Sequence, residues 1–332
     1  MSTDLTIIIV NWNTCALLDA CLTSIERHAA DLSLQVIVVD NDSDDDSTSM
    51  VRRDHPQVEL IENDSNRGFG VANNQAMQRA RGELILLLNS DTEVCPGTLR
   101  ESVRYMRLHR PVGVLGVRAH HPDGSLQLTC FAEPSLLNVA LQVLALHRVP
   151  WPRFFGRDRM RDWRRDSERD VDVVTGCYFL LRPDVLGDVG LFDEQFFFYG
   201  EETDWCRRIR HAGWSTRFAP VGEIIHHGGA SAAMLDATRG LLLADGIIRF
   251  QRVHHGDLRA RATWLLLWLG NAMRAIGYGL RSLLPGQRDA RTTSARFARI
   301  ACSFATAWPS DATPDVPTWT PATSHATAQR AA

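Results

Sequence analysis

The sequence has no lysine, no closely paired cysteines and no long uninterrupted apolar run. All 36 basic residues are arginine. This bias reflects genome composition more than function, although guanidinium groups suit bidentate contact with phosphate. The 7 cysteines are scattered, and no two are spaced as C-x-x-C. Their pattern argues against a zinc site or a disulfide framework and fits a reducing cytoplasm.

The N-terminus lacks the basic segment and the long apolar segment that a signal peptide requires. A net charge of -3 supplies no strong field toward nucleic acid. The 332 residues, 45% of them hydrophobic, have the composition of an ordinary globular protein. That length accommodates one large domain or two smaller ones.

Short apolar runs alternate with segments of helical spacing in the first 118 residues. The runs are Leu5–Val10, Leu34–Val39, Val58–Ile61 and Leu84–Leu88, with helices predicted at 14–29, 70–81 and 96–109 and a further strand near 112–118. This alternation predicts an α/β fold with a mostly parallel sheet covered on both faces. Ligands bind such sheets beyond the carboxyl ends of the strands. The ends here carry Asn11, Asp40, Asn41 and Asn89 to Asp91, so these polar residues should converge on one edge.

The second half of the chain is less regular. Residues 119–170 include an arginine- and tryptophan-rich stretch at 151–169, which we interpret as a flexible loop over the site. Strands are predicted at 171–174, at 178–181 and before residue 229, and helices at 203–212 and 233–253.

An amphipathic segment follows at 258–284, where Trp264–Leu269 lies among arginines. The apolar block is too short and interrupted for a membrane span. It suits either a helix lying on a membrane surface or a helix that caps a domain or an oligomer. The tail after residue 308 is rich in Pro, Thr and Ala and is predicted to be disordered.

The aromatic run Phe196–Tyr199 ends in three closely spaced carboxylates, Glu201, Glu202 and Asp204. Carboxylates beside apolar rings are costly to desolvate and repel one another. The arrangement suits a catalytic base, a metal ligand or a clamp on sugar hydroxyls. A plain helix start is the structural alternative, because acidic residues are favoured in a first turn.

Three further segments carry candidate binding groups. Asp40 and Asn41 at a strand end can form hydrogen bonds to a base or a ribose, although Asp, Asn and Ser also cap helices. In the loop at 66–74, Gly68 permits a tight turn and Arg67 can pair with phosphate. Asn73 occupies a helical position where a residue of high helix propensity would be expected, which favours a binding role.

Asn89-Ser-Asp91 ends the most apolar strand. An acid there is placed to hold a divalent cation against a diphosphate, or simply to cap the next helix. His226 and His227 precede two glycines. A histidine after a strand is more often structural than a ligand, but two beside Gly-Gly downstream of the acids suggest a site.

The order of these segments resembles the family 2 inverting glycosyltransferases, within them the rhamnosyltransferase-like group. The resemblance spans about residues 5–250. Its motifs are Val10–Asn13, Asp40–Ser43, Asn66–Gly70, Asn73–Asn74, Asn89–Asp91, Thr175–Gly176, Phe192–Glu194, Tyr199–Asp204 and His226–Gly229.

The resemblance implies a GT-A-type nucleotide-binding sheet flanked by helices, with a helical C-terminal extension. The implied glycosyltransferase domain covers 1–255, with a nucleotide-sugar half at 1–118 and an acceptor and catalytic half at 171–255. The extension covers 256–307 and the tail 308–332. The implied reaction is inverting transfer of a sugar, L-rhamnose from dTDP-L-rhamnose, to a glycan or lipid-linked acceptor in cell-surface polysaccharide synthesis, in the cytoplasm and peripheral to the membrane.

The resemblance also assigns roles to residues. The implied donor-binding residues are Asn11, Asp40, Asn41, Arg67, Gly68, Asn73, Asn89 and Asp91. Asp91 and His226 would hold Mg²⁺ or Mn²⁺. Glu202 would be the base, with Glu201 and Asp204 supporting it or touching the acceptor. The aromatic run would form a wall for the acceptor.

Two departures from the family pattern leave choices open. Asn89 stands where the metal motif has its first acid, and Glu202 follows Glu201 where many relatives have Glu-Asp, so either glutamate suits the base. A sugar-phosphate nucleotidyltransferase and a non-catalytic nucleotide-sugar-binding protein are the alternatives. The first is disfavoured because Asn11–Thr14 replaces the glycine-rich basic loop expected after its first strand.

Overall fold

The computed structural model describes residues 3–29, 32–146, 149, 153–228, 236–285, 287–306, 317 and 319. The strands are β1 (Thr3–Asn11), β2 (Leu34–Asp40), β3 (Glu59–Glu62), β4 (Gly82–Asn89), β5 (Thr92–Val94), β6 (Val112–His120), β7 (Leu126–Gln127), β8 (Cys130–Phe131), β9 (Arg169–Asp170), β10 (Val173–Val174), β11 (Tyr178–Leu181) and β12 (Ser215–His226). The helices are α1 (Cys15–His28), α2 (Ser47–Asp54), α3 (Phe69–Met77), α4 (Thr98–Leu108), α5 (Leu136–Val143), α6 (Pro183–Val189), α7 (Glu201–His211), α8 (Asp236–His255), α9 (Asp257–Arg281) and α10 (Arg288–Thr306).

The main sheet has the strand order β3-β2-β1-β4-β11-β6-β12-β5. In addition, the short strand β7 pairs with β6, and β9 pairs with β12. Strands β1 to β4 run parallel, and β12 runs parallel to β6. Strand β11 is antiparallel to both of its neighbours, β4 and β6. The predicted α/β fold is confirmed. The sheet is mixed rather than mostly parallel, because β5, β7 and β9 also pair antiparallel with their neighbours.

Successive side chains of a strand point to opposite faces of the sheet. Both faces are apolar here, and helices cover each of them. In β4, Leu84, Leu86 and Leu88 face one core, together with side chains of α1 and α4. Ile85 and Leu87 face the other core, together with α3, α6 and α7. Near-continuous apolar strands are therefore buried on two sides, as such a sheet requires.

Helices α8, α9 and α10 form a separate small core around Ala244, Ile248, Ala260, Ile300 and Phe304. Helix α9 also contacts α5, where a Cβ on Gly270 would lie 2.8 Å from a Val143 methyl carbon. Among the described residues, no helix combines the length and the hydropathy that crossing a bilayer requires.

Several element boundaries differ from the sequence prediction. Helix α7 begins at Glu201 rather than at residue 203, so the three carboxylates lie in its first turn. The stretch 119–170 contains β7, β8, α5, short 3₁₀ turns within Arg153–Arg159, and β9. The predictions for 229–235 and for most of 308–332 fall outside the described residues, and the domain division stays a prediction.

Candidate functional site

Two cavities adjoin each other beyond the carboxyl ends of the parallel strands. The smaller cavity, about 410 Å³, is lined by strand-end and loop residues that include Val10, Trp12, Asn41, Asn66, Gly68, Phe69, Asn89, Ser90 and Asp91. The larger cavity, about 640 Å³, is lined by residues of β8, β10, α7, α8 and the segments between them. Five residues line both cavities: Asn89, Tyr199, Glu202, His226 and Arg239. The site therefore has two compartments with a shared wall.

The strand-end polar residues form the predicted cluster. Asn11 Nδ2 donates to Asp40 Oδ1 at 2.8 Å, and Asp40 Oδ2 accepts from the backbone N–H of Ser43 at 2.9 Å. Asn41 Nδ2 donates to the carbonyl of Gly68 at 3.1 Å. All three strand-end side chains are buried. Asn41 lines the smaller cavity, whereas Asn11 and Asp40 shape the loop beside it.

The glycine-containing loop is tied to the aromatic run. Gly68 has φ +83°, and a Cβ there would lie 2.2 Å from the carbonyl oxygen of Phe197. The next amide, Phe69 N–H, donates to that same oxygen at 3.1 Å. A glycine is needed at this close approach, and the loop and the run form one wall of the smaller cavity.

Two predicted donor-binding residues have other partners. Arg67 pairs with Asp64 at 3.3 Å on the surface. Asn73 is buried, and its Nδ2 donates to the carbonyl of Phe69 within α3. Neither is among the residues that line the smaller cavity, so the structure does not bring them to the strand-end cluster.

Asp91 and His226 face each other across the boundary between the cavities. His226 Nδ1 lies 2.7 Å from Gln127 Oε1, which can only accept, so Nδ1 donates this hydrogen bond. His226 Nε2 lies 3.1 Å from Asp91 Oδ1 and 3.2 Å from Asn89 Nδ2.

The pair Asp91 and His226 fits a divalent cation. The 3.1 Å between Asp91 Oδ1 and His226 Nε2 is close to the separation of about 2.9 Å between cis ligands of an octahedral ion. Among the described residues, no group of three or more His, Cys, Asp or Glu side chains is placed to hold a metal. Mg²⁺ is usually held by one or two protein carboxylates together with substrate and water, and a pair such as this one is compatible with that arrangement.

The first turn of helix α7 borders the cavities, and the two residues that precede the helix have positive φ angles. Tyr199 has φ +70°, a conformation costly for a bulky residue, and Gly200 follows with φ +103°. Glu202 lines both cavities, and its Oε1 accepts the backbone N–H of Gly176 at 3.0 Å. Glu201 lines the smaller cavity and is only 2% exposed. Its Oε2 has no hydrogen-bond partner among the described residues.

The two adjacent glutamates have perturbed proton affinities. Burial raises the pKa of Glu201 well above its usual range, and the nearby charge of Glu202 raises it further. Burial also raises the pKa of Glu202, while the hydrogen bond from the Gly176 amide opposes that rise. Because charge is costly in this setting, the pair holds one proton more readily than two isolated glutamates do. Glu202 is the better placed of the two to be ionised.

Asp204 has a different environment from the two glutamates. Its Oδ2 accepts from Arg208 Nε at 2.8 Å, and its Oδ1 lies 2.7 Å from His254 Nε2. It is 1% exposed and is not among the residues that line either cavity. The predicted acceptor contact through Asp204 therefore has no support in the geometry, which instead links α7 to α8.

The aromatic run lies mainly along the smaller cavity. Phe197 and Phe198 line this cavity beside Asn41 and Asp91, and Tyr199 lines both cavities. Phe196 is buried, with 1% exposure. The run thus walls the compartment that contains the strand-end residues, and its role toward the acceptor stays a prediction.

Sequence reasoning missed three participants. Arg239 of α8 lines both cavities, Gly176 positions Glu202, and Gln127 accepts a hydrogen bond from His226. Gly176 belongs to a recognised motif, but its backbone role has no sequence signal. Nothing in the local pattern distinguishes Arg239 or Gln127 from surface residues.

The larger cavity is basic and apolar in character. Arg159, Arg161 and Arg239 line it, together with the α8 side chains Leu243, Ile247 and Phe250. Glu202 is the only carboxylate among its lining residues, which come from the described part of the chain. The stretch expected to form a loop over the site does contribute Arg159 and Arg161 to this compartment.

The sheet, with cavities beyond the carboxyl ends of its parallel strands, has the GT-A-type fold of glycosyltransferases. Solved structures share the fold. A mannosyltransferase, PcManGT from Pyrobaculum calidifontis in complex with GDP-Man and Mn²⁺, superposes with a TM-score of 0.55 at 18% identity over 94% of this chain and 89% of that one. GalNAc-T7 with UDP, GalNAc and Mn²⁺ gives a TM-score of 0.55 at 13% identity, over 90% of this chain and 55% of that one.

Residues 6–189, more than half of the chain, match the family described as Glycosyl transferase family 2. The chain belongs to this family and is a glycosyltransferase. It is 29% identical, over 61% of its length and 71% of the relative's, to the N-acetylglucosaminyl-diphospho-decaprenol L-rhamnosyltransferase of Mycobacterium tuberculosis. It is also 24% identical, over 68% of each chain, to the low-salt glycan biosynthesis hexosyltransferase Agl10 of Haloferax volcanii. The predicted family and class are confirmed, and the nucleotidyltransferase alternative is disfavoured.

Proposed function

We propose that the protein transfers L-rhamnose from dTDP-L-rhamnose, with inversion, to a glycan or lipid-linked acceptor in cell-surface polysaccharide synthesis. The rhamnosyltransferase relative supports the sugar and the lipid-linked acceptor. The observation that carries the proposed mechanism is the position of Glu202, whose carboxylate borders both cavities.

The smaller cavity would bind the nucleotide sugar. Asn41 and the loop at Gly68 offer polar groups for the nucleoside, and Trp12 and Phe69 offer flat apolar surfaces. The larger cavity would bind the acceptor. Its residues Arg159 and Arg161 suit an acceptor that carries negative charge.

Glu202 would act as the base. A carboxylate on the shared wall reaches an acceptor hydroxyl on one side and faces the donor on the other. Removal of the hydroxyl proton during a single in-line displacement inverts the anomeric centre. Burial raises the pKa of Glu202, which makes it a stronger base, while the Gly176 amide stabilises its ionised form.

Asp91 and His226 would hold Mg²⁺ or Mn²⁺. When bound, the cation would offset the negative charge that develops on the diphosphate leaving group. This chain would present Asp91 Oδ1 and His226 Nε2 to the cation, and the hydrogen bond from His226 Nδ1 to Gln127 would orient the imidazole ring.

We further propose that the enzyme acts in the cytoplasm, peripheral to the inner face of the cell membrane. The cysteines of the described residues are all free thiols, which is typical of a reducing compartment.

The test is a panel of nucleotide sugars, with Mg²⁺ and with Mn²⁺. The true donor at 100 times its dissociation constant should stabilise the protein by about 2.7 kcal/mol. Transfer to an N-acetylglucosaminyl-diphospho-lipid should give a product whose anomeric configuration, measured by NMR, is opposite to that of the donor. If no donor yields metal-dependent release of nucleoside diphosphate, the non-catalytic binding protein becomes the better description.

A further inference from the structure

Helix α9 exposes a row of large apolar side chains to solvent. We call this row the apolar stripe; it consists of Leu258, Leu265, Leu269, Met273, Ile276 and Leu280. Their side chains are between 40% and 83% exposed. Leu283 and Leu284, just beyond the helix, are 78% and 60% exposed and extend the row. Single exposed leucines are ordinary, but a continuous row marks an interaction surface.

The stripe is straight and lies on one side of the helix. At 3.6 residues per turn, its six members fall within an arc of about 80° and span about 33 Å along the axis. The buried residues Ala260, Thr263 and Gly270 lie on the opposite side, where α9 packs against its neighbours. The helix therefore has one face packed on the protein and one apolar face left uncovered by the described residues.

The helices that include and follow the stripe are predominantly positive. Residues 257–306 contain eight arginines and two aspartates, a net charge of +6, although the whole chain carries -3. Helical spacing places Arg259 and Arg261 on the two borders of the stripe, and both are exposed. An apolar face between arginines matches a bilayer surface that contains anionic lipid.

The described part of the C-terminal tail lies elsewhere. Leu191 N–H donates to the carbonyl of Pro317 at 3.2 Å, and Trp319 Nε1 donates to the carbonyl of Met77 at 3.3 Å. These contacts hold the two tail residues against α3 and the segment after α6. They do not cover α9.

We propose that the apolar stripe binds the surface of an anionic membrane, with α9 lying in the plane of the interface. Leucine, isoleucine and methionine side chains would enter the boundary of the acyl chains, while Arg259 and Arg261 would contact lipid phosphates. This inference identifies the surface responsible for peripheral attachment. It does not depend on which sugar is transferred.

The test measures co-sedimentation of the full chain with vesicles, without donor or acceptor. One vesicle type is phosphatidylcholine alone, and the other is an equal mixture of phosphatidylcholine and phosphatidylglycerol. The test variant carries Leu269→Glu together with Ile276→Glu. The control is Leu108→Glu, which alters a leucine of α4 that is 69% exposed and outside the stripe.

The wild type and Leu108→Glu should bind the anionic vesicles, and more weakly at high salt because screening reduces the arginine contribution. The double variant should bind at least about tenfold more weakly, because two apolar side chains no longer enter the membrane. Its thermal unfolding and its transfer to a water-soluble acceptor should match the wild type.

Equal binding by the double variant, or no binding of anionic vesicles by the wild type, would overturn the proposal. A dimer in solution that the double variant dissociates would also overturn it, because a second copy would then cover the stripe. Both readouts are independent of catalysis, so the proposed transfer reaction stands or falls separately, whereas the proposed peripheral location rests on the same result.

Discussion

Replacing Glu202 by glutamine tests the assignment of the base most directly. The variant should lose about 10²- to 10⁴-fold in kcat, the usual contribution of positioned proton transfer. At 1.36 kcal/mol per tenfold, the loss corresponds to about 2.7–5.4 kcal/mol of activation free energy. Donor affinity should stay nearly unchanged, because the glutamine oxygen can still accept the Gly176 amide that lies 3.0 Å from Glu202 Oε1.

The assay combines initial rates of sugar transfer with calorimetric measurement of the donor Kd. Glu101→Gln, on the surface of α4, is the matched control and should behave as the wild type. In the wild type, kcat/KM should fall on the acid side as Glu202 gains a proton. Since burial raises its pKa, that limb should lie above the ordinary glutamate value of about 4.3. A variant within about threefold of wild-type kcat, or one whose donor affinity falls as much as its rate, would refute the assignment.

Three further predictions concern the surroundings of the base and the scaffold. Glu201→Gln should keep most of the activity, because burial raises the pKa of Glu201 and an uncharged amide resembles its protonated form; a kcat loss as large as that of Glu202→Gln would make Glu201 the base. Gly246→Ala should lower the free energy of unfolding in urea by about 1–3 kcal/mol, since its Cβ would lie 2.1 Å from the carbonyl oxygen of Tyr199. Gly277→Ala, which meets nothing within 4 Å, is the control and should be neutral or stabilising. Burial alone would lower the pKa of His55, but Glu26 and Asp19 raise it overall. The stabilisation should therefore be complete below the unfolded value of about 6.5 and disappear as pH rises through the folded pKa; a Tm difference between wild type and His55→Gln that does not change between pH 5.5 and 8.5 would contradict this.

The polar edge at the strand ends could be predicted from sequence because a local pattern determines it. A buried apolar run followed by Asn11, Asp40 or Asn89 identifies both the strand and its carboxyl end. The parallel arrangement then brings those ends together without further information. The placement of Asp91 near His226 follows from the same rule and from β12, which pairs with β5 directly after Asp91.

The remaining features depend on tertiary contacts that sequence spacing does not encode. Asp204 looks equivalent to Glu201 and Glu202 in the chain. In the structure, however, it meets Arg208 and His254 and lines neither cavity. Likewise, the antiparallel direction of β11 depends on packing between β4 and β6, because its four apolar residues fit either direction.

The direction of β11 has a consequence for how Glu202 is held. Because this strand enters the sheet where its neighbour β4 ends, the segment before it, with Gly176, arrives at the edge that carries the cavities. The contact to Glu202 is therefore made by a main-chain amide, which no side-chain replacement removes except proline. A Cβ on Gly176 would nevertheless lie 2.8 Å from the ring of Phe69 and 3.0 Å from Glu202 Oε1. A larger residue would keep the amide donor but press on the carboxylate, so the orientation of Glu202 depends on a glycine at this position.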